Sequence, residues 1–134
     1  CPNMIERVEN NLLSYGNEMT LKDTPYDCGL GNFCNLDSDY EFIGKSALVK
    51  QKKVGFAKDI YKIQFDYKNE NKQVFFNNLS VFKEDVEIGT ATSIVWSPKY
   101  GKYIGFLIAS KNITNNLNDY YILDNVKFDL LSVS

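Results

Sequence analysis

Few side chains in this sequence are equipped for chemistry, and those that are fall mainly between Cys1 and Ile43. Arg7 is the only arginine among fifteen basic residues, so it is the chain's one fork-shaped donor for a carboxylate. It stands two positions before Glu9; on a helix the two point in different directions and form no pair. Two readings of Arg7 stay open. It is a surface arginine beside solvated glutamates, or it anchors its helix to a neighbouring domain through a two-pronged contact. Tyr15, in the run Ser14-Tyr15-Gly16-Asn17, reads either as a core aromatic with its hydroxyl satisfied or as a cavity wall.

What is missing narrows the chemistry further. The chain has no histidine, which removes the commonest general base and any Ser-His or Cys-His nucleophile pair. Gly29-Leu30-Gly31 is too short for a phosphate loop and opens no helix. Cys1, Cys28 and Cys34 are odd in number and not spaced C-x-x-C, so a zinc site would need an unusual ligand set. Cys28 and Cys34 are expected to be reduced, buried small hydrophobes, which points to the cytoplasm. A complete catalytic site on this chain alone is not expected.

The elements that must position these residues change character along the chain. Residues 2–13 are expected to be helical: Pro2 suits a first turn, and Met4, Ile5, Val8 and Leu12 make one apolar stripe, ended by Gly16. Residues 20–27 read as an ordered loop, because Pro25 forces an extended Thr24. Residues 30–36 read as a short strand and 37–42 as a charged turn. A second helix is expected over 46–53, with Ala47, Leu48 and Gln51 inward and lysines at its favourable end. Then β-rich runs take over: Ile60 to Tyr67, Phe75-Phe76, and residues 79–82, 88–96, 103–109, 120–123 and 126–131. Turn signals separate them at Asn69-Glu70-Asn71, Lys83-Glu84-Asp85, Ser97-Pro98-Lys99-Tyr100-Gly101, Asn115-Asn116 and Asp124-Asn125. Trp96 is expected to close the core at a hairpin corner. The fold class is therefore α+β, a short N-terminal helical segment followed by a small antiparallel β-barrel.

Composition sets outer bounds. At 134 residues, 44% apolar and 14% aromatic, the chain folds and is no disordered tail. A net charge of −2 argues against a general nucleic-acid binder, and no apolar run approaches a membrane span. The sequons at Asn78 and Asn112 read as accidents of an asparagine-rich composition. A chain that opens on Cys1-Pro2 at a helix start, with no targeting segment, reads as a fragment of something longer, its helical segment packing against a partner domain.

The order of motifs resembles the C-terminal part of the glycine-cleavage T-protein, or aminomethyltransferase, family. It runs through Arg7, Glu9, Leu12, Tyr15-Gly16-Asn17, Thr24-Pro25 and Gly29-Leu30. It continues in Phe42-Ile43-Gly44-Lys45-Ser46-Ala47-Leu48, then Ile88-Gly89, Thr92-Ser93, Ser97-Pro98 and Gly101-Lys102. Residues 1–7 and 12–17 look closer to the dimethylsulfoniopropionate demethylase branch than to the glycine-cleavage enzyme. The resemblance implies a three-domain cloverleaf holding tetrahydrofolate in a central cavity, with the key carboxylate on upstream domains. Residues 1–43 would then be the tail of the folate-binding region and 44–134 the C-terminal barrel, with Asn3, Arg7 and Tyr15 nearest the cavity. The implied activity is methyl transfer from a sulfonium donor to folate N5. Aminomethyl transfer from a lipoyl carrier, or the folate module of a methylglycine dehydrogenase, is the alternative. A non-catalytic barrel serving protein interaction is an alternative of another class. Three positions depart from the T-protein pattern: Asn3 replaces an arginine, Asn32 a tryptophan, and Leu130-Leu131-Ser132 a terminal L-P-F. The loss of the arginine would suit a cationic sulfonium.

Overall fold

Strand alternation sets the architecture. In a computed structural model, which describes residues 3–56, 58–68, 75–110, 120–122 and 126–131, eight strands form one antiparallel sheet. They are β1 (Lys58–Phe65), β2 (Phe75–Phe76), β3 (Leu79–Lys83), β4 (Val86–Ser97), β5 (Lys102–Ser110), β6 (Tyr120–Ile122), β7 (Val126–Lys127) and β8 (Asp129–Leu130). The order across the sheet is β7-β6-β3-β4-β5-β1-β8, with β2 also paired to β4. Its two ends, β7 and β8, are consecutive in the chain and separated only by the buried Phe128. The sheet therefore curls almost shut around one core, and the α+β barrel reading holds.

Inward-facing Ile63, Phe65, Val81, Ala91, Ile94, Tyr103, Leu107, Ile122 and Phe128 fill that core. On β5 the alternate residues Ile104 and Phe106 face the other way and are equally buried, because α1 (Met4–Glu9) lies across them. Val8 is completely buried between α1 and Val95, Ile104 and Phe106. Burying one such side chain contributes roughly 1.5–3 kcal/mol.

Helix α1 starts where Asn3 caps it. The Asn3 side chain accepts from the Glu6 amide at 2.9 Å, and the Glu6 carboxylate accepts from the Asn3 amide at 3.1 Å. The helix stops at Glu9, well short of the expected residue 13. Asn10 turns its side chain back to the Glu6 carbonyl (2.8 Å), and Asn11 adopts a left-handed φ of 58°. A second cap is supplied from the barrel: Lys62 donates to the Glu9 carbonyl at 2.8 Å, where the helix leaves acceptors unpaired.

The segment after α1 is held by side-chain-to-backbone bonds. Asp23 accepts from the Thr20 amide (2.7 Å) and Asp27 from the Thr24 amide (3.0 Å), as a loop broken by Pro25 requires. Residues 30–36 are not a strand. Gly31–Phe33 form a single 3-10 turn after Gly29 at a φ of 69°, with Gly31 packed so closely on the Tyr26 ring that no side chain fits. Helix α2 (Lys45–Val54) buries no residue fully, and Ala47, expected inward, is exposed. Trp96 does not close the core; it is partly exposed, edge-on to Tyr103 at 5.4 Å. The turns at 69–71, 115–116 and 124–125, the sequon at Asn112, and Cys1, Pro2 and Ser132 lie outside the described residues. Among the described residues no helix is long and apolar enough to cross a membrane.

Candidate functional site

A buried polar cluster joins α1, the turn after it and the barrel wall. It is made possible by a bulge in β4. Thr92 pairs with Phe106 and Val95 with Ile104, so one extra residue is inserted between them, and Ser93 takes a left-handed φ of 52°. The bulge turns the fully buried Ser93 hydroxyl toward Glu18 and Arg7, to both of which it is hydrogen-bonded. Arg7 completes its coordination with the Glu18 carboxylate (3.0 Å), the Leu12 carbonyl (2.8 Å) and the Met4 sulfur (3.1 Å). Glu18, 2% exposed, also accepts from the Ser14 amide at 2.6 Å. On the other side of the bulge Asn77 accepts from the Ser93 amide (3.0 Å) and from the Thr92 hydroxyl, while its amide reaches Asn17 at 3.4 Å. Every polar group brought inside is therefore answered.

The three candidate residues are placed differently. Asn3 borders an apolar groove of about 490 Å³ shared with Met4, Ile5, Phe75, Val95 and Trp96, but its side chain is occupied as the helix cap. Arg7 is no solvated surface arginine: 12% exposed, it ties α1 to Glu18 and, through Ser93, to the barrel. Tyr15 is not in the core. It stands 65% exposed at the apex of the 14–19 turn, its hydroxyl unbonded among the described residues. The structure thus links Arg7 through Glu18 to the Ser14 amide, next to Tyr15, and of the three only Asn3 lines the 490 Å³ groove.

A second groove, of about 480 Å³, opens beside the cluster, walled by Leu12, Leu13, Cys28, Phe33, Ile60 and Phe106 with Lys62 among its lining. Burial lowers the Lys62 pKa, reinforced by the nearby Lys99 and opposed by Glu9. Burial, with Asp23 close by, raises the Cys28 thiol, so it is no activated nucleophile. Cys28 and Cys34 are both free; Cys28 is buried as expected and Cys34 only partly. Glu18 and Asn77 carry no signal in the sequence, and Ser93 enters there only within the Thr92-Ser93 motif of the family resemblance. Their partners lie 75 and 16 residues apart in the chain, beyond any local pattern.

These donors do not make a folate cradle by themselves. The Asn3 amide and the Arg7 guanidinium are spent on the fold, and the groove walls are mainly apolar.

No family model matches the chain. It is 45% identical over 101 residues to the dimethylsulfoniopropionate demethylase of Ruegeria pomeroyi, covering 75% of this chain and 26% of that protein. It is 33% identical over 102 residues to the aminomethyltransferase of Listeria welshimeri, covering 76% and 27%. The chain thus spans about a quarter of the length of these curated relatives. The glycine cleavage aminomethyltransferase T of Bartonella henselae superposes with a TM-score of 0.77 at 18% identity, over 96% of this chain and 36% of that one, and so shares the fold. By sequence and by barrel architecture the chain belongs to the glycine-cleavage T-protein family, matching its C-terminal part and close to dimethylsulfoniopropionate demethylase.

Proposed function

We propose that this chain is the C-terminal region of a larger, cytoplasmic, tetrahydrofolate-dependent one-carbon transferase that moves a methyl group from a sulfonium donor such as dimethylsulfoniopropionate to folate N5. One observation carries the choice of donor: identity is 45% over 101 residues to the demethylase against 33% over 102 to an aminomethyltransferase. The free Cys28 and Cys34 support a reducing compartment.

In this reading residues 1–43 are the tail of the folate-binding region and 44–134 the barrel, with folate and donor held chiefly by upstream domains of the same polypeptide. The contribution of this chain is positional. Asn3 and Lys62 secure the two ends of α1, Arg7 and Glu18 lock the following turn, and Tyr15 is the side chain left free to meet a ligand. Such pre-orientation is worth rate only if the rest of the cavity closes over it and excludes water.

The intact polypeptide, given tetrahydrofolate and dimethylsulfoniopropionate, should release a neutral thioether and yield methylated folate, followed by proton NMR. Methylene transfer from an aminomethyl-lipoyl carrier with no sulfonium turnover would replace this reading with the aminomethyltransferase one.

A further inference from the structure

We infer that Glu18, Ser93 and Asn77, together with Arg7, are positioning residues for Tyr15, and that the 14–19 turn is a preformed ligand-facing element. The inference rests on the transferase reading above and adds residues to it that act without touching a ligand.

Holding α1 to the barrel does not need this cluster. Val8, Ile104 and Phe106 already do so with apolar contact, and buried ion pairs add little net stability over such packing. The cluster also requires Ser93, a non-glycine residue, to stay left-handed in the middle of a strand. A strained backbone maintained for no packing gain is a feature of sites where geometry matters.

What the cluster does supply is a fixed turn. One oxygen of the Glu18 carboxylate accepts from the Ser93 hydroxyl, the other from both Arg7 and the Ser14 amide. Asn77, bonded to the bulge, reaches Asn17 in the same turn. The turn then closes on itself, Gly16 amide to Met19 carbonyl at 2.8 Å and Glu18 amide to Ser14 carbonyl at 3.1 Å. Tyr15 alone points out of this clamp. Arg7 simultaneously fixes the carbonyl of Leu12, a wall of the 480 Å³ groove. An exposed phenol on a rigid turn offers a π face and a hydroxyl at low entropic cost. The chemistry it recognises is a sulfonium cation or a planar heterocycle laid on that face.

The test uses the intact polypeptide with Tyr15→Ala, Ser93→Gly and their double variant. Glycine accepts the left-handed backbone freely, so Ser93→Gly removes the hydroxyl and keeps the bulge. Measurements are KM and kcat for sulfonium donor and tetrahydrofolate separately, tetrahydrofolate Kd, Tm, and hydrogen exchange at the Gly16 and Glu18 amides. Tyr15→Ala should raise one KM about three- to tenfold, with Tm unchanged. Ser93→Gly should raise the same KM, speed exchange at both amides, and add nothing in the double variant. Whichever KM moves identifies the ligand on the ring. Unchanged KM values and Kd in Tyr15→Ala overturn the inference, as does a Ser93→Gly variant that loses Tm alone or adds fully to Tyr15→Ala. Absence of sulfonium turnover by the unaltered protein overturns the donor assignment instead. Exchange and folate Kd in the variants then still decide the role of the clamp.

Discussion

Asn3 lets a folding role and a proposed chemical role be tested apart. Its side chain caps α1, and it stands where the family resemblance places an arginine. Losing the cap costs about 1 kcal/mol, so Asn3→Ala should lower the stability of the intact polypeptide by that much and leave sulfonium turnover alone. Asn3→Arg should lose the same cap and also add a permanent charge, which repels a sulfonium in a water-poor cavity. Turnover should therefore fall in the arginine variant and not in the alanine one, read by thermal scans and methyl-release rates side by side. Equal turnover in both would show that the charge is irrelevant. The ion pair of Arg7 and Glu18 makes a second, purely energetic case. Its side chains are 12% and 0% exposed, so removing either partner leaves the other buried without its countercharge. Arg7→Met should cost about 3–5 kcal/mol in urea denaturation, and adding Glu18→Leu should recover part of that loss.

At the scale of elements, local chemistry decides where strands turn. The β3–β4 hairpin joins Lys83 to Val86 through Glu84 and Asp85 at φ values of 48° and 65°, the left-handed pair that a two-residue hairpin demands. Glutamate is poorly suited to it, whereas asparagine tolerates that region. Glu84→Asn should stabilise the barrel by about 0.5–1 kcal/mol in chemical denaturation, and Asp85 keeps its bond from the Tyr121 hydroxyl at 2.7 Å. That hairpin, like most strands, was legible in the sequence, since β-branched and aromatic alternation survives wherever one face is buried. The helix end was not. The apolar spacing of Leu12 continued the stripe, but Asn10 and Asn11 satisfied the helix terminus from their own side chains and backbone first. The 3-10 turn at Gly31–Phe33 was hidden because its cause is the Tyr26 ring beneath Gly31. The candidate site was readable only in its local part. Arg7 and Tyr15 announce themselves by type, whereas Ser93 acquires its role from a bulge that no period in the sequence marks.

For the whole molecule, charge and apolar surface set the conditions of stability. Lys58 holds the Asp23 carboxylate below its ordinary value of 3.8. That contribution is complete above about pH 4 and is lost as pH falls through the lowered folded value, because the unfolded chain then binds the proton first. Asp23→Asn should flatten the acid limb of a Tm-against-pH curve recorded between about pH 5 and 2. The second condition is coverage. Leu21, Phe33, Tyr40 and Ile43 are 91%, 84%, 82% and 105% exposed, and Val54 on α2 is 80% exposed. Single exposed apolar residues are ordinary, and Val86 and Trp96 on β4 are two of them, but the most exposed gather in the segment between α1 and the barrel. In the proposed larger polypeptide that segment would pack against the upstream domains. Phe33→Asp and Ile43→Asp should then be nearly silent in this chain alone, within about 0.5 kcal/mol. In the intact polypeptide, where each would bury a charge, they should cost well over 1 kcal/mol. Unfolding midpoints of both variants in both lengths decide the matter, and equal small shifts in the two would mean that this surface meets water in the working enzyme as well.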